Sequence, residues 1–296
     1  RYGVSGVEDS YDDVLRGAES DAWRAWWQSF IHSYPVGQDV QLTLDAEVQA
    51  VADAALGAHK GAVVLLDARS GEILALVSHP TYDPNLLDEQ FDALNSAEDA
   101  PLLNRATQAL YQPGTALQPF LLAAFLDREL VSAGARVEEM TAPVAVGESW
   151  LGCVGLPPAD DTGWGTALAF GCPAPFVDLA TQVRSAGLAN NLEQLGLLAP
   201  APVPLEVAPG SQPALDGENR LTAAEAAGQG DLTLSPLQMA WALAALANEG
   251  SLPGLRLVRR IGSGGIVVAE PVAMQGTTPE TAERVTGLMI EGVRSG

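Results

Sequence analysis

Apolar residues follow two different periodicities early in the chain. Between residues 45 and 56 they recur three and four positions apart, as on one face of a helix. Asp45 suits the positive N-terminus of this helix, and Gly57 suits its end. Residues 62–66 and 73–77 are instead short, β-branched-rich apolar runs separated by a polar turn. The pattern predicts a helix followed by a β-hairpin, and the expected core face of the helix consists of Val48, Val51, Ala52, Ala55 and Leu56.

Helical patterns dominate the rest of the chain. We predict helices at residues 117–130, 176–186 and 235–248, and a last helix that starts at Thr278. Ser235 and Pro236 have the residue types preferred at a helix N-cap and at the first helical position. Residues 255–258 and 265–268 predict a second hairpin. The expected core stripe of the last helix is Ala282, Val285, Met289 and Val293.

The first 38 residues differ from the rest of the chain. Residues 21–34 place large apolar side chains at helical spacing before a Pro-Val-Gly break. Two interpretations stay open: the helix packs on its own domain, or it presents an aromatic face to a partner. The residues concerned are Trp23, Trp26, Trp27, Phe30 and Ile31.

Composition excludes several classes of protein. The formal net charge of −22 disfavours nucleic acid, whose phosphates it would repel. We find no run of the ~20 apolar residues that a membrane-spanning helix needs. Two cysteines and three histidines without ligand spacing favour neither a metal site nor a cofactor. Lys60 is the only lysine, so a mechanism that needs a deprotonated lysine has one candidate in these residues.

Several segments, in the family's order, resemble class B penicillin-binding proteins. Residues 2–17 resemble the segment that joins that family's pedestal to its catalytic domain. Residues 39–49 resemble the start of the catalytic domain, residues 61–85 its opening hairpin, and residues 228–250 a late signature. The resemblance implies an N-terminal linker and pedestal remnant at residues 1–38 and a transpeptidase-like domain at residues 39–296.

The fold implied by the resemblance is α+β, with helices packed on an antiparallel sheet. In the family, the strands that complete this sheet follow the point that corresponds to Gly296. A lone two-stranded hairpin is only marginally stable in water. Either a further segment supplies the remaining strands, or the sheet is completed differently.

The first catalytic motif of the family, Ser-x-x-Lys, begins a helix. Its spacing puts the lysine amine one turn from the serine hydroxyl, so that the amine can take the hydroxyl proton. Residues 104–120 keep the framework of this motif, but Thr115 and Gln118 stand at its two reactive positions. Thr115 keeps a hydroxyl, which its methyl group crowds. Gln118 carries an amide, which does not accept a proton at neutral pH.

The other two motifs are altered or absent. Residues 167–176 fit the frame of the family's Ser-x-Asn motif, with Gly171 and Pro173 in place of serine and asparagine. The third motif, Lys-Thr-Gly, would lie after the last helix, beyond Gly296. A local trio of Ser78, His79 and Asp83 is a poor substitute, because sequence neighbours rarely give triad geometry.

The resemblance also implies an extracytoplasmic domain, anchored to the membrane through an upstream segment. In that setting we expect Cys153 and Cys172 to form a disulfide; the alternative is two buried free thiols. Three functions stay open. The leading hypothesis is a catalytically inactive peptidoglycan D,D-transpeptidase homologue that binds partners in cell-wall synthesis or division. The alternatives are a noncovalent binder of peptidoglycan stem peptides or β-lactams, and an enzyme of altered mechanism that uses Thr115.

Overall fold

Two short helices open the described part of the chain. The computed structural model describes residues 5–17, 36–183, 185–262, 266–269 and 271–295, so the aromatic helix predicted at residues 21–34 lies outside it. Helix α1 (Gly6–Ser10) and helix α2 (Asp12–Arg16) follow each other directly. The backbone N–H of Gln38 donates to the Val14 carbonyl (3.0 Å), which places residue 38 beside α2.

The described remainder mixes short strands with helices of 4 to 17 residues. In chain order the elements are β1 (Val40–Leu42), α3 (Ala46–Leu56), β2 (Gly61–Leu66), β3 (Ile73–His79), α4 (Leu87–Ser96), α5 (Gln118–Asp127), β4 (Val144–Val146), β5 (Ser149–Leu151), α6 (Trp164–Ala169), α7 (Ala174–Gln182), α8 (Ser185–Gln194), α9 (Ala223–Ala226), α10 (Pro236–Ala247), β6 (Ser251–Leu252), β7 (Val258–Ile261), β8 (Ile266–Val267), β9 (Met274–Gln275) and α11 (Pro279–Ser295).

Strands β2 and β3 form the predicted hairpin, in antiparallel register from Gly61 opposite His79 to Leu66 opposite Ile73. Asp67 closes the turn because its carboxylate accepts the backbone N–H groups of Arg69 (2.9 Å) and Ser70 (2.8 Å). These hydrogen bonds favour the charged form, so they hold the pKa of Asp67 below its ordinary value. The sequence prediction for this segment is confirmed.

Helix α3 packs on β3 through part of the predicted face. Its side chains Val48, Ala52 and Leu56 pack with the strand residues Ala75 and Val77. Val51 is 70% exposed and Ala55 is also exposed, so their assignment to the core face was wrong.

Gln49 explains why the packed face of α3 is rotated away from Val51 and Ala55. Its side-chain amide exchanges two hydrogen bonds with the backbone of Leu76, one donated by the N–H of Leu76 (2.8 Å) and one accepted by its carbonyl (3.0 Å). These bonds turn the Gln49 side of the helix toward the strand. Val51 lies on the opposite flank and is turned to solvent.

The hairpin is not isolated. Strands β1, β7 and β8 form a second antiparallel sheet, and the β7–β8 pair confirms the second predicted hairpin, with its first strand starting at Val258 rather than at 255. The backbone N–H of Ile73 donates to the Arg256 carbonyl (2.9 Å), and that of Arg256 to the Gly71 carbonyl (2.9 Å). Arg256, just before β7, thus connects the β2–β3 hairpin to this second sheet.

The helical core is built around α5, whose residues from Gln118 to Leu126 are all buried. A helix that is apolar on every side requires neighbours all round, and α7, α8 and α11 contact it. Trp164 of α6 and Phe176 of α7 meet edge to face, with ring centroids 5.4 Å apart. No helix in the described ranges is both long and apolar enough to cross a bilayer.

The last helix confirms only part of its predicted stripe. Ala282 and Val285 are fully buried and Met289 is partly buried, but Val293 is 84% exposed, so that assignment was wrong. The reason is a close crossing with α6: a Cβ at Gly292 would lie 3.0 Å from the Ala169 Cβ. The packed face therefore passes through Gly292, and its neighbour Val293 faces solvent.

Candidate active site

The segment that carries Thr115 is held by the backbone of residues 228–234. Tyr111 and Leu234 exchange backbone hydrogen bonds (both 3.0 Å), and the N–H of Gly114 donates to the Gly228 carbonyl (2.8 Å). Gly228 has a φ of +69°, and a Cβ there would lie 2.2 Å from the Gly114 oxygen, so only glycine fits. The two stretches of sequence thereby present Thr115 on a short 3-10 turn, Gly114–Leu117, that runs directly into α5.

Gln118 lies on the first turn of α5 and is 2% exposed. Its Nε2 donates to the Cys172 carbonyl (3.3 Å), which ties the first motif position to the second motif segment. Its Oε1 is buried and has no hydrogen-bond partner among the described residues. Thr115 itself is exposed. Its hydroxyl has no hydrogen-bond partner in the ranges that the structure describes. The site therefore holds a hydroxyl without an attached base.

Gly171 lies directly against Thr115. A Cβ built on Gly171 would come within 3.0 Å of the Thr115 Cγ2 and within 3.0 Å of the Val154 Cγ2, and Gly171 has a φ of +55°. The space that a side chain at position 171 would need is occupied by two methyl groups. Pro173 is buried at the N-cap of α7 and contributes no polar side-chain group. The structure thus brings Thr115, Gln118 and Gly171 together. Pro173 follows two residues after Gly171, at the start of α7.

A disulfide joins Cys153 and Cys172, with an S–S distance of 2.06 Å. Beside it, the N–H of Val154 donates to the Phe170 carbonyl (2.8 Å). These two connections hold the segment after β5 against Gly171. Sequence reasoning missed Val154 as a site residue, although its position next to one of the two cysteines was a usable signal.

The comparisons with known proteins agree with this geometry. The family model for the penicillin binding protein transpeptidase domain matches residues 61–296. The chain belongs to this family. The expected class B membership and the α+β transpeptidase fold are both confirmed.

Two relatives of this transpeptidase domain are peptidoglycan D,D-transpeptidases by name. MrdA of Acinetobacter baumannii is 31% identical over 281 residues, which cover 84% of this chain and 40% of the relative. PbpA of Mycolicibacterium smegmatis is 30% identical over 318 residues, which cover 98% of this chain and 63% of the relative. The chain therefore spans less than two thirds of the length of either protein.

Solved structures give the same fold over nearly the whole chain. The crystal structure of PBPA from Mycobacterium tuberculosis superposes with a TM-score of 0.85 at 28% sequence identity, covering 99% of this chain and 72% of that one. A second structure of the same protein, a penicillin G acyl-enzyme complex, has a TM-score of 0.84. The transpeptidase domain fold is thus present here around altered motif residues.

The structure does not assemble the local trio in this transpeptidase domain. The hydroxyl of Ser78 donates to the Leu103 carbonyl (3.2 Å) and accepts from the Arg105 N–H (2.9 Å), so it serves the backbone. Asp83 caps a 3-10 turn by accepting the Asn85 N–H (2.9 Å). Within the described residues, no three His, Cys, Asp or Glu side chains are arranged to hold a metal ion.

His79 instead pairs with a residue that sequence reasoning did not select. Its Nε2 lies 2.7 Å from Asp53 Oδ1, and its Nδ1 lies 2.6 Å from the Gly57 carbonyl oxygen. The hydrogen bond to the Asp53 carboxylate raises the pKa of His79 above its ordinary value. Asp53 is 26 residues away in sequence and lies on α3, so no local pattern points to the pair.

Proposed function

We propose that this domain is a catalytically inactive transpeptidase homologue that acts by binding in cell-wall synthesis or division. The observation that carries the proposal is Gln118. Acyl transfer by a hydroxyl needs a group that removes its proton, and the residue one turn from Thr115 is a buried amide that binds a backbone carbonyl. An amide in that position positions the chain but does not take a proton.

Within the given residues, the sequence offers one lysine as a possible base. The only lysine in the 296 residues is Lys60, which is exposed and immediately precedes β2. The methyl group of Thr115 and a methyl group of Val154 both face Gly171, so the neighbourhood of the Thr115 hydroxyl is apolar on that side. A mechanism that starts from the Thr115 hydroxyl would therefore begin from its unactivated, protonated form.

The relatives and the disulfide support the cellular setting. Relatives of this chain are named peptidoglycan transpeptidases, and disulfides persist in oxidising, extracytoplasmic environments. We accordingly place the domain outside the cytoplasm, attached to the membrane through an upstream segment. Its partners would be cell-wall synthesis or division proteins. Noncovalent binding of peptidoglycan stem peptides is the alternative use of the same surface.

Acylation by a fluorescent penicillin tests the inactive state. The M. tuberculosis neighbour forms an acyl-enzyme with penicillin G and serves as the positive control. We expect this domain to show no covalent adduct by gel fluorescence or intact mass. A mass increase of one β-lactam that disappears in Thr115→Ala would overturn the proposal. Slow acylation of the lysine amine is recognised by its loss in Lys60→Arg and its persistence in Thr115→Ala.

A binding experiment separates the two noncatalytic roles. The domain, immobilised through its N-terminus, is offered purified cell-wall synthesis and division proteins in one arm and soluble peptidoglycan stem peptides in the other. Retention of a protein partner, unaffected by Thr115→Ala, supports the proposal. Retention of stem peptides alone, weakened by Thr115→Ala, would replace it with the peptide-binding alternative.

A further inference from the structure

A cavity of about 360 Å³ lies apart from the altered motifs. It is bounded by residues 5–6 at the start of α1, by α3, by β3 with the residues that follow it, and by the loops at residues 101–108 and 205–206. None of Thr115, Gln118, Gly171 or Pro173 lines it. Its volume is near the lower end of the ~300–1,000 Å³ that small-molecule sites occupy. It is therefore a separate site with room for a small ligand.

One turn of chain at this cavity has unmet hydrogen-bonding capacity. Thr107 is 1% exposed, and its Oγ1 has no partner among the described residues. Asn104 and Gln108 use their side-chain oxygens, which accept the N–H of Ala106 (3.1 Å) and of Asn104 (3.0 Å). The side-chain NH₂ groups of Asn104 and Gln108 have no hydrogen-bond acceptor in the described ranges. Because a buried polar group without a partner is costly, Thr107 favours a polar occupant, and the partly buried amides of Asn104 and Gln108 offer hydrogen-bond donors beside it.

The other walls add acceptors and hydroxyl groups. Glu206 and Asp53 are the two lining residues that carry carboxylates, and one Asp53 oxygen is hydrogen-bonded to His79. Thr81 and Tyr82 contribute hydroxyls. No lysine, arginine or histidine among the described residues lines the cavity, so a negatively charged ligand would be repelled by the carboxylate of Glu206 and, in part, by that of Asp53, which is paired with His79.

We propose that this cavity binds a polyhydroxylated ligand without negative charge, a mono- or disaccharide unit. A sugar hydroxyl both donates and accepts hydrogen bonds, and it therefore suits a lining that offers amide donors, carboxylate acceptors and hydroxyls together. The ring C–H groups match the apolar part of the lining, which includes Leu76, Leu102 and Leu205. The site is independent of the proposed function, since it shares no residue with the altered motifs.

Titration with N,N′-diacetylchitobiose, an uncharged disaccharide, tests the proposal. Saturation-transfer NMR and calorimetry should detect binding, and a disaccharide that carries a carboxylate, the unsaturated hyaluronan disaccharide, should bind at least about tenfold more weakly. Thr107→Val and Glu206→Gln should each weaken chitobiose binding by about tenfold. Glu193→Gln, which removes an exposed carboxylate from α8, is the matched control and should leave binding unchanged.

Three results would overturn the proposal. One is the absence of saturation transfer from chitobiose to the folded wild-type domain. Another is binding that neither Thr107→Val nor Glu206→Gln weakens, which would place the sugar elsewhere. The third is displacement of chitobiose by spermidine, which would identify a cation site. Thermal unfolding of both variants confirms that they are folded, and Glu206, being exposed, keeps the test valid if Thr107→Val is unstable.

Discussion

At the scale of single residues, the altered motif positions are joined by direct contacts between the first and second motif segments. The methyl of Thr115 and a methyl of Val154 occupy the space beside Gly171, and the amide of Gln118 binds the carbonyl of Cys172. The sequence alone identified Gln118 as unable to act as a base, since that depends only on residue type and spacing. It did not identify Val154, because that contact depends on how the segment after β5 folds back.

Gly171→Ala tests whether the space beside Thr115 is filled. Alanine in the left-handed region costs about 1 kcal/mol from its backbone conformation, and contact with the two methyl groups should add about 1 kcal/mol more. Gly147→Ala is the matched control, because Gly147 has a φ of +58° with nothing within 4 Å of an added Cβ. Urea unfolding of both variants gives the comparison. Equal losses of stability would mean that position 171 has spare room.

Reconstruction of the family's motif residues should destabilise the domain. The triple variant Gln118→Lys, Gly171→Ser and Pro173→Asn puts an ammonium group at a position that is 2% exposed and a side chain where Gly171 has none. We expect the free energy of unfolding to fall by on the order of 3 kcal/mol. The exposed substitution Gln90→Lys on α4 controls for the added charge. A triple variant as stable as the parent would contradict the idea that lost catalytic groups were exchanged for packing.

The single variant Gln118→Lys should also remain unreactive toward fluorescent penicillin. It restores an amine, but the second motif still presents Gly171 and Pro173 rather than a hydroxyl and an amide. Intact mass measures the outcome directly. An adduct in Gln118→Lys that is lost on adding Thr115→Ala would show that the amine alone activates Thr115.

At the scale of elements, strands and caps were predictable and helix faces were less so. The β2–β3 hairpin follows from two apolar runs and a turn, and the N-caps Asp45 and Ser235 accept the backbone N–H groups expected of them. The helix predicted at residues 176–186 instead ends at Gln182, where α7 stops before α8 begins. Val51 and Val293 were misassigned because periodicity gives a stripe, whereas the neighbouring element decides how the stripe is rotated.

The contact between α3 and the end of β3 should depend on pH through His79. The Asp53 hydrogen bond raises the pKa of His79 above 6.5, its ordinary value. A raised folded-state pKa contributes stability that is fully present below about pH 6.5 and is lost as pH rises through the folded-state pKa. The free energy of unfolding should therefore decrease as pH rises from about 6.5 through the folded-state pKa of His79. Urea unfolding across this range measures the slope.

His79→Gln should flatten that slope, because it removes the titrating partner of Asp53. His59→Gln is the matched control, since His59 is exposed and its ring has no hydrogen-bond partner among the described residues. Asp53→Asn should flatten the slope as His79→Gln does. A slope that survives both His79→Gln and Asp53→Asn would assign the pH dependence to other groups.

At the scale of the whole molecule, the residues that form the core differ from those at the catalytic motif positions. The buried residues of α5 after Gln118 are apolar, so the helix can hold the fold whichever groups stand at positions 115 and 118. This separation explains how the chain superposes on M. tuberculosis PBPA with a TM-score of 0.85 while its motif residues differ from the family pattern. The family resemblance was readable from the sequence because it lies in the hairpin and the late signature. The cavity at Thr107 was not readable, because five separate segments line it.

Charge is the other whole-molecule property, and it predicts a dependence of stability on salt. With 37 acidic and 15 basic residues, the folded domain concentrates a formal charge of −22, and self-repulsion destabilises a compact state of high net charge. Raising ionic strength shortens the screening length from about 30 Å at 0.01 M to about 8 Å at 0.15 M. We expect the melting temperature to rise over this range. Exposed ion pairs such as Arg16–Asp12 weaken with salt, but each contributes only about 0–1 kcal/mol.

Two controls assign such a rise to charge rather than to a general effect of solutes. Sodium chloride and potassium chloride at equal ionic strength should act alike, and sucrose at equal osmolality should not reproduce the rise. The double variant Glu8→Gln with Asp13→Asn removes two exposed carboxylates from α1 and α2 and should reduce the slope. A melting temperature that stays flat or falls with salt would mean that attraction between opposite charges outweighs the repulsion among the 37 carboxylates. Because repulsion acts over the whole surface, the slope should shrink in proportion to the charge removed, wherever on the surface the substitutions lie.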